Sequence, residues 1–166
     1  FNTKMQLSED SDFTLHYLMH CSRISISDTI FYHYSIDNES TMRSNADKKV
    51  LQYIEAMNIT SKYIEKQHEN VQLAFNDYIL MHLNIACVRG IFCVNNKENY
   101  VKKIEHIKKI INTPVFKDAI KKFHIKNNFS ARTLPVFFMK YKLVHIASII
   151  YIVRAYQNYI YEKSRN

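Results

Sequence analysis

Five consecutive residues, Ser8 to Asp12, could carry out acid–base chemistry. Glu9, Asp10 and Asp12 are acidic, in a protein whose formal net charge is +8. A carboxylate within hydrogen-bond reach of a hydroxyl can remove its proton during attack on an electrophile, which typically contributes ~10²–10⁴-fold to the rate. Phe13 and further apolar residues follow at helical spacing, so we expect the carboxylates at a helix N-terminus, where the helix dipole favours their ionised form.

The same residues also fit a structural interpretation. Serine and aspartate are common at helix N-caps, where the side chain accepts a hydrogen bond from a backbone N–H that has no partner in the helix. Ser8 or Asp10 could cap a helix over residues 10–21 in this way. A Glu-Asp dipeptide alone does not separate the two interpretations.

A β-rich segment follows the predicted helix. From Arg23 to Ile36 the residues alternate in character and are rich in β-forming types, with Tyr32 and Tyr34 on one face and His33 on the other. This pattern predicts one bent strand or two short ones. One or two strands are not stable without sheet partners, so the sequence predicts that this strand belongs to a larger sheet. Residues 37–45 are polar and are predicted to form a loop.

The order of these features resembles a known enzyme family. Glu9-Asp10, Phe13 and a strand reading Tyr32-x-Tyr34-x-x-x-x-x-Ser40 are similar to the second half of the catalytic domain of bacterial family 2 glycosyltransferases. The resemblance covers residues 1–45 and implies the C-terminal end of an α/β GT-A (Rossmann-like) domain. The chain would then be an enzyme fragment, inactive alone, with its donor-binding half upstream of residue 1.

The resemblance assigns roles to individual residues. Asp10 becomes the general base, and Glu9 orients the acceptor or its loop. The family strand often carries Arg and His where this chain has Ser35 and Asp37, so the contacts with donor diphosphate or metal would pass to other residues. The residues implied for substrate binding are Tyr32, Tyr34, Ser40 and Arg43, and the residue implied as a metal ligand is His33.

The resemblance also implies a reaction and its participants. A nucleotide-diphosphate sugar would donate its sugar, with inversion, to a glycan or lipid-linked acceptor in polysaccharide biosynthesis at the cell envelope. A divalent cation, Mg²⁺ or Mn²⁺, would be held mainly by the upstream half. We expect a cytoplasmic protein with peripheral contact at the inner face of the cytoplasmic membrane, and a homo-oligomer is compatible with the sequence.

Residues 46–166 are predicted to form a helical C-terminal region, so the fold class is mainly α with a short β edge. Apolar residues make up 47% of the chain, which is enough for a core. With a single glycine, Gly90, the chain cannot build a glycine-rich phosphate loop. The apolar spacing predicts helices over residues 46–67, 69–92, 98–112, 115–126 and 141–162, with an irregular stretch around 127–135.

The charge distribution supports an alternative function. Between Lys97 and Lys142 there are twelve Lys or Arg residues and three acidic residues, which favours contact with an anionic surface. The alternative is therefore a non-enzymatic basic helical module that binds an anionic membrane or nucleic acid, of which nucleic acid is less favoured because no recognition motif is visible. The final helix could pack on its own domain, on a second subunit or on the membrane.

Overall fold

Helices account for all of the regular secondary structure in the part of the chain that the computed structural model describes, residues 3, 5–31, 46–125 and 130–164. This part is therefore all-α, with seven α-helices and one π-helical segment. The elements are α1 (Glu9–Met19), α2 (Ala46–Ile64), α3 (Glu69–Ile85), the π-helical segment (Ala86–Ile91), α4 (Tyr100–Ile111), α5 (Pro114–Lys122), α6 (Leu134–Lys140) and α7 (Val144–Lys163).

The helix boundaries follow from capping residues that can be read in the sequence. Asn99 caps α4, because its side-chain oxygen accepts a hydrogen bond from the backbone N–H of Lys102 at 2.9 Å. Pro114 begins α5 at a position where its missing N–H has no cost. The helices predicted over 10–21, 46–67, 98–112, 115–126 and 141–162 are confirmed, each with ends shifted by four residues at most.

The π-helical segment lies at the centre of the core. It continues α3 directly and packs against α2, α4 and α7. Ala86, Cys87 and Val88 are consecutive and all buried, so this part of the helix is enclosed on more than one side. The backbone N–H of Phe92 bonds to the Cys87 carbonyl oxygen at 2.8 Å, the five-residue step that defines a π-helix. One continuous α-helix over 69–92 was therefore a wrong prediction at its C-terminal end.

The predicted strand is wrong for Arg23–Phe31. These residues form no strand, and the apolar side chains that were expected to face a sheet are exposed, with Ile26 at 94% and Phe31 at 81%. The physical reason is that alternation favours a strand only where another strand pairs with it, and the described residues offer none. The β edge of the expected fold class is thus absent from residues 23–31. Residues 32–36 and the predicted boundary at residue 45 lie outside the described residues.

None of the described helices is long and apolar enough to cross a membrane.

Candidate functional site

Asp12 fixes the first turn of α1 to α2. Its side chain is buried at 5% exposure, and its Oδ1 accepts a hydrogen bond of 2.9 Å from the hydroxyl of Thr60, which is itself 2% exposed. The ring Nε2 of His16 lies 3.8 Å from the same carboxylate oxygen. A buried carboxylate needs such partners, because an unpaired charge in the interior is costly. Asp12 is therefore a structural contact between the two helices.

Asp10 differs from Asp12 although it lies two residues away on the same helix. Its side chain is exposed, and its Oδ1 accepts hydrogen bonds from the backbone N–H of Ser11 at 2.7 Å and from the Ser11 hydroxyl at 3.3 Å. Glu9, which precedes it, is half-buried. The carboxylate at position 10 thus faces solvent in the first turn of α1, where the helix dipole stabilises negative charge.

Ser8 enters α1 with an unusual backbone conformation. Its φ is 62° and its ψ is 19°, in the left-handed region that residues with a Cβ rarely adopt. Its side chain makes no capping hydrogen bond, so the predicted Ser8 cap is wrong. The reason is that a capping side chain normally requires an extended backbone at this position. The strain lies directly before Glu9 and Asp10.

Two residues of α3, Tyr78 and His82, complete the surroundings of this turn. The Tyr78 side chain is hydrogen-bonded to that of Ser11, and its ring centroid lies 4.2 Å from that of His82. Burial raises the pKa of Tyr78, and the Ser11 bond lowers it less than burial and the nearby Asp10 and Asp12 raise it. The phenol is therefore neutral at physiological pH.

His82 is buried and held by the backbone of its own helix. Its Nδ1 donates a hydrogen bond to the Tyr78 carbonyl oxygen at 3.0 Å. Burial lowers the pKa of His82, and this outweighs the opposite effects of that bond and of the Asp10 carboxylate. The sequence predicts a helix over residues 69–92 but indicates no function for Tyr78 or His82 within it. Their spacing of four residues shows only that they share a helix face, and nothing in it indicates the contact with α1.

The other residues predicted for the site fall outside the described residues. These are Tyr32, His33, Tyr34, Ser40 and Arg43. Within residues 5–31, 46–125 and 130–164, no three His, Cys, Asp or Glu side chains come together in a way that could hold a metal ion. Of the residues predicted for the site, the structure thus brings Asp10 near Tyr78 and His82, where its charge affects the pKa of both side chains.

A second polar network closes the turn before α4. Glu98 accepts from His106 Nε2 at 3.0 Å and from the Asn96 side chain at 3.3 Å, and Lys102 Nζ lies 3.3 Å from its other carboxylate oxygen. Burial alone would raise the pKa of Glu98, but the Asn96 and Lys102 bonds and the neighbouring His106 together lower it below its ordinary value. Each polar atom of the carboxylate is engaged by the fold, so the network is structural.

A third network links α3 to α7. Tyr151 is fully buried, and its hydroxyl donates to the Asn84 side-chain oxygen at 3.0 Å. The Asn84 amide in turn donates to the carbonyl oxygens of Leu80 and Arg132, at 3.0 and 3.1 Å. Burial raises the pKa of the Cys87 thiol, which is hydrogen-bonded to Tyr151, so this cysteine is not an activated nucleophile.

Comparison of the chain with models of protein families, with curated proteins and with solved structures gives no match.

Proposed function

We propose that this chain is the acceptor-side part of an inverting glycosyltransferase of the family 2 type, with Asp10 as its general base. The proposal starts from the resemblance of Glu9-Asp10, Phe13 and the Tyr32-x-Tyr34 segment to that family. The donor would be a nucleotide-diphosphate sugar, and the acceptor a hydroxyl of a glycan or lipid-linked glycan.

One observation carries the proposal beyond the sequence. Of the two aspartates in the first turn of α1, Asp12 is buried and bonded to Thr60, whereas Asp10 is exposed. A general base must reach the proton that it removes, and an exposed carboxylate can do so where a buried one cannot. The left-handed Ser8 directly before the pair gives independent support, since backbone strain is concentrated at functional sites.

The chemical step follows from the position of this carboxylate. Asp10 accepts the proton of the acceptor hydroxyl while the hydroxyl oxygen forms its bond to the anomeric carbon. The bond from that carbon to the diphosphate oxygen breaks, and the nucleoside diphosphate leaves with the electron pair. Attack opposite the leaving group inverts the anomeric centre. The described residues do not form a site for a divalent cation, so no step is assigned to one.

The substitution Asp10→Asn tests the proposed base in the full-length protein. It preserves size and hydrogen bonding but removes the proton acceptor, so we expect sugar transfer to fall by at least ~10²-fold with little change in donor affinity. Release of nucleoside diphosphate in the presence of acceptor measures transfer. The matched control is Asp118→Asn on α5, another exposed helical carboxylate, which should leave transfer unchanged. Equal activity of Asp10→Asn and wild type would remove Asp10 from the mechanism.

Donor binding by the chain itself gives a second test. The chain has one glycine and no acidic metal motif in its described part, so residues 1–166 alone should not bind nucleotide sugars tightly. Calorimetry with uridine, guanosine and cytidine diphosphate sugars, each with Mn²⁺, measures this affinity. Sub-micromolar binding of any of them by the isolated chain would contradict the assignment to the acceptor side.

A further inference from the structure

Helix α7 carries two apolar faces, of which the fold uses one. The first face packs on α6, α4 and the π-helical segment. Its buried members are Val144, Ala147, Ser148, Tyr151 and Ala155. At 3.6 residues per turn, the second face is centred about 150° around the helix from the first, so the two do not overlap.

The second face, here the outer face of α7, is apolar along four turns. Its members are each between 41% and 60% exposed, and they are Ile146, Ile149, Ile152, Val153, Tyr156 and Ile160. Between residues 146 and 160 the helix has one charged side chain, Arg154, which is directed to the Ala131 carbonyl oxygen at 3.0 Å. A continuous apolar surface of this kind marks an interaction site.

The C-terminal part of α7 extends beyond the core. From Tyr156 to Lys163 every residue is exposed, so this stretch of about two turns buries less surface than the part of α7 before it. A helix of this length is marginal in water without packing. Contact of the outer face with an apolar surface would therefore stabilise this part of α7.

We infer that the outer face of α7 inserts into the interface of an anionic lipid bilayer. The charge of the protein favours an anionic bilayer over a second copy of the chain as the partner of this face. The chain has a net charge of +8, and between Lys97 and Lys142, just before α7, basic residues outnumber acidic residues by twelve to three. Two copies of such a chain repel each other, whereas an anionic leaflet attracts each nearby Lys or Arg.

The composition of the face agrees with an interfacial position. Five of its six members are branched aliphatics, and Tyr156 has an aromatic body with a polar tip, which suits the boundary between acyl chains and headgroups. An amphipathic helix in this position lies parallel to the membrane and is immersed by ~5–10 Å. The inference does not depend on the proposed transferase activity, since the proposed base Asp10 lies on α1 and the outer face of α7 contains none of the residues proposed for sugar transfer.

Vesicle binding by the full chain tests the inference. Sedimentation with phosphatidylglycerol vesicles and with phosphatidylcholine vesicles, at low and high salt, measures the affinity for each. The double variant Ile149→Gln/Tyr156→Gln removes the centre of the outer face. The control Leu73→Gln/Met81→Gln makes the same change at two exposed apolar residues of α3.

The sequence allows insertion to be measured directly. The chain has no tryptophan, so Ile149→Trp introduces a single tryptophan on the outer face, and Leu73→Trp places one on α3; excitation at a wavelength that tyrosine does not absorb isolates its emission. We expect the emission of the Trp at position 149 to shift to shorter wavelength with phosphatidylglycerol vesicles. The emission of the Trp at position 73 should not shift.

The expected result is salt-sensitive binding with a preference for phosphatidylglycerol. The outer-face variant should bind at least about tenfold more weakly than wild type, and the α3 variant should bind within about twofold of it. Equal binding to both lipids, or equal binding by the outer-face variant and wild type, would overturn the inference. So would a dimer in sedimentation equilibrium that the outer-face variant dissociates, in a chain that does not bind vesicles, because the face would then be a contact between copies.

Discussion

The hydrogen bond between Thr60 and Asp12 should be a major contribution to the position of α1. Thr60→Val replaces the hydroxyl by a methyl group of similar size, so the helix and its packing are preserved. The Asp12 carboxylate then stays buried without the donor that lies 2.9 Å away in the wild type. His16 Nε2, at 3.8 Å, is beyond hydrogen-bond distance and compensates poorly.

The size of the effect follows from the burial of both residues. Hydrogen bonds to charged groups contribute ~1.5–3 kcal/mol, and the acceptor left behind is almost inaccessible to water. We therefore expect Thr60→Val to lower the free energy of unfolding by about 2–3 kcal/mol, out of a total of ~5–15 kcal/mol for a typical domain. For a chain of this length, that corresponds to a Tm lower by about 4–12 °C.

Urea denaturation followed by circular dichroism at 222 nm measures this free energy. The matched control is Thr14→Val on α1, whose hydroxyl bonds to the Asp10 carbonyl oxygen at an exposed position and should contribute less than ~0.5 kcal/mol. A double-mutant cycle with Asp12→Ala should give an interaction energy of ~1.5 kcal/mol or more. If Thr60→Val and Thr14→Val have equal stabilities, the bond does not hold α1 and the distinction between Asp12 and Asp10 loses its basis.

Three further predictions concern the structural networks. Tyr151→Phe keeps the buried ring but leaves the Asn84 oxygen without its donor, so urea denaturation should show a loss of ~1–3 kcal/mol. The pKa of Glu98 is lowered in the folded state, so its stabilising contribution is complete above its ordinary pKa and is lost as the pH falls. The stability of wild type relative to Glu98→Gln should therefore decrease from about pH 5 to pH 3. Ellman's reagent should leave Cys87 unmodified in the folded chain, because burial raises its pKa and excludes the reagent.

Each of these outcomes has a clear opposite. Wild-type stability in Tyr151→Phe would mean that Asn84 finds another donor. If the free energies of unfolding of wild type and Glu98→Gln differ by the same amount from pH 5 to pH 3, the ionised carboxylate is not stabilised by its partners. Modification of all three thiols at one rate would mean that the core around Cys87 opens readily, since Cys21 and Cys93 are more exposed.

The helices could be predicted from the sequence because their signals are local. The apolar spacing and the Asn99 and Pro114 boundary signals each lie within a few residues of the structure that they determine. The wrong strand prediction has the opposite property. Alternation in Arg23–Phe31 favours a strand only where a distant strand pairs with it. Helix α6 was missed for a local reason, because the residues up to Pro135 were predicted to be irregular, although Pro135 occupies the first turn of that helix.

The candidate site could be predicted only in part, for the same reason. The sequence places both Asp10 and Asp12 in the first turn of α1, and it does not indicate which of the two side chains is buried. Their difference in burial is decided by Thr60, which lies 48 residues further along the chain. The contact of Ser11 with Tyr78 is equally remote in sequence. The roles of Asp10 and Asp12 are therefore a property of the tertiary structure.

The central position of the π-helical segment has a consequence for the order of folding. Ala86–Ile91 continues α3 without a loop, so it can form early through local contacts, and it then offers surfaces to α2, α4 and α7. We expect the transition state to contain α3 and this segment, while α7 docks late. The substitution Cys87→Ala should then mainly slow folding, whereas Tyr151→Ala should mainly accelerate unfolding. A six-residue segment would thus set the folding rate of the whole bundle.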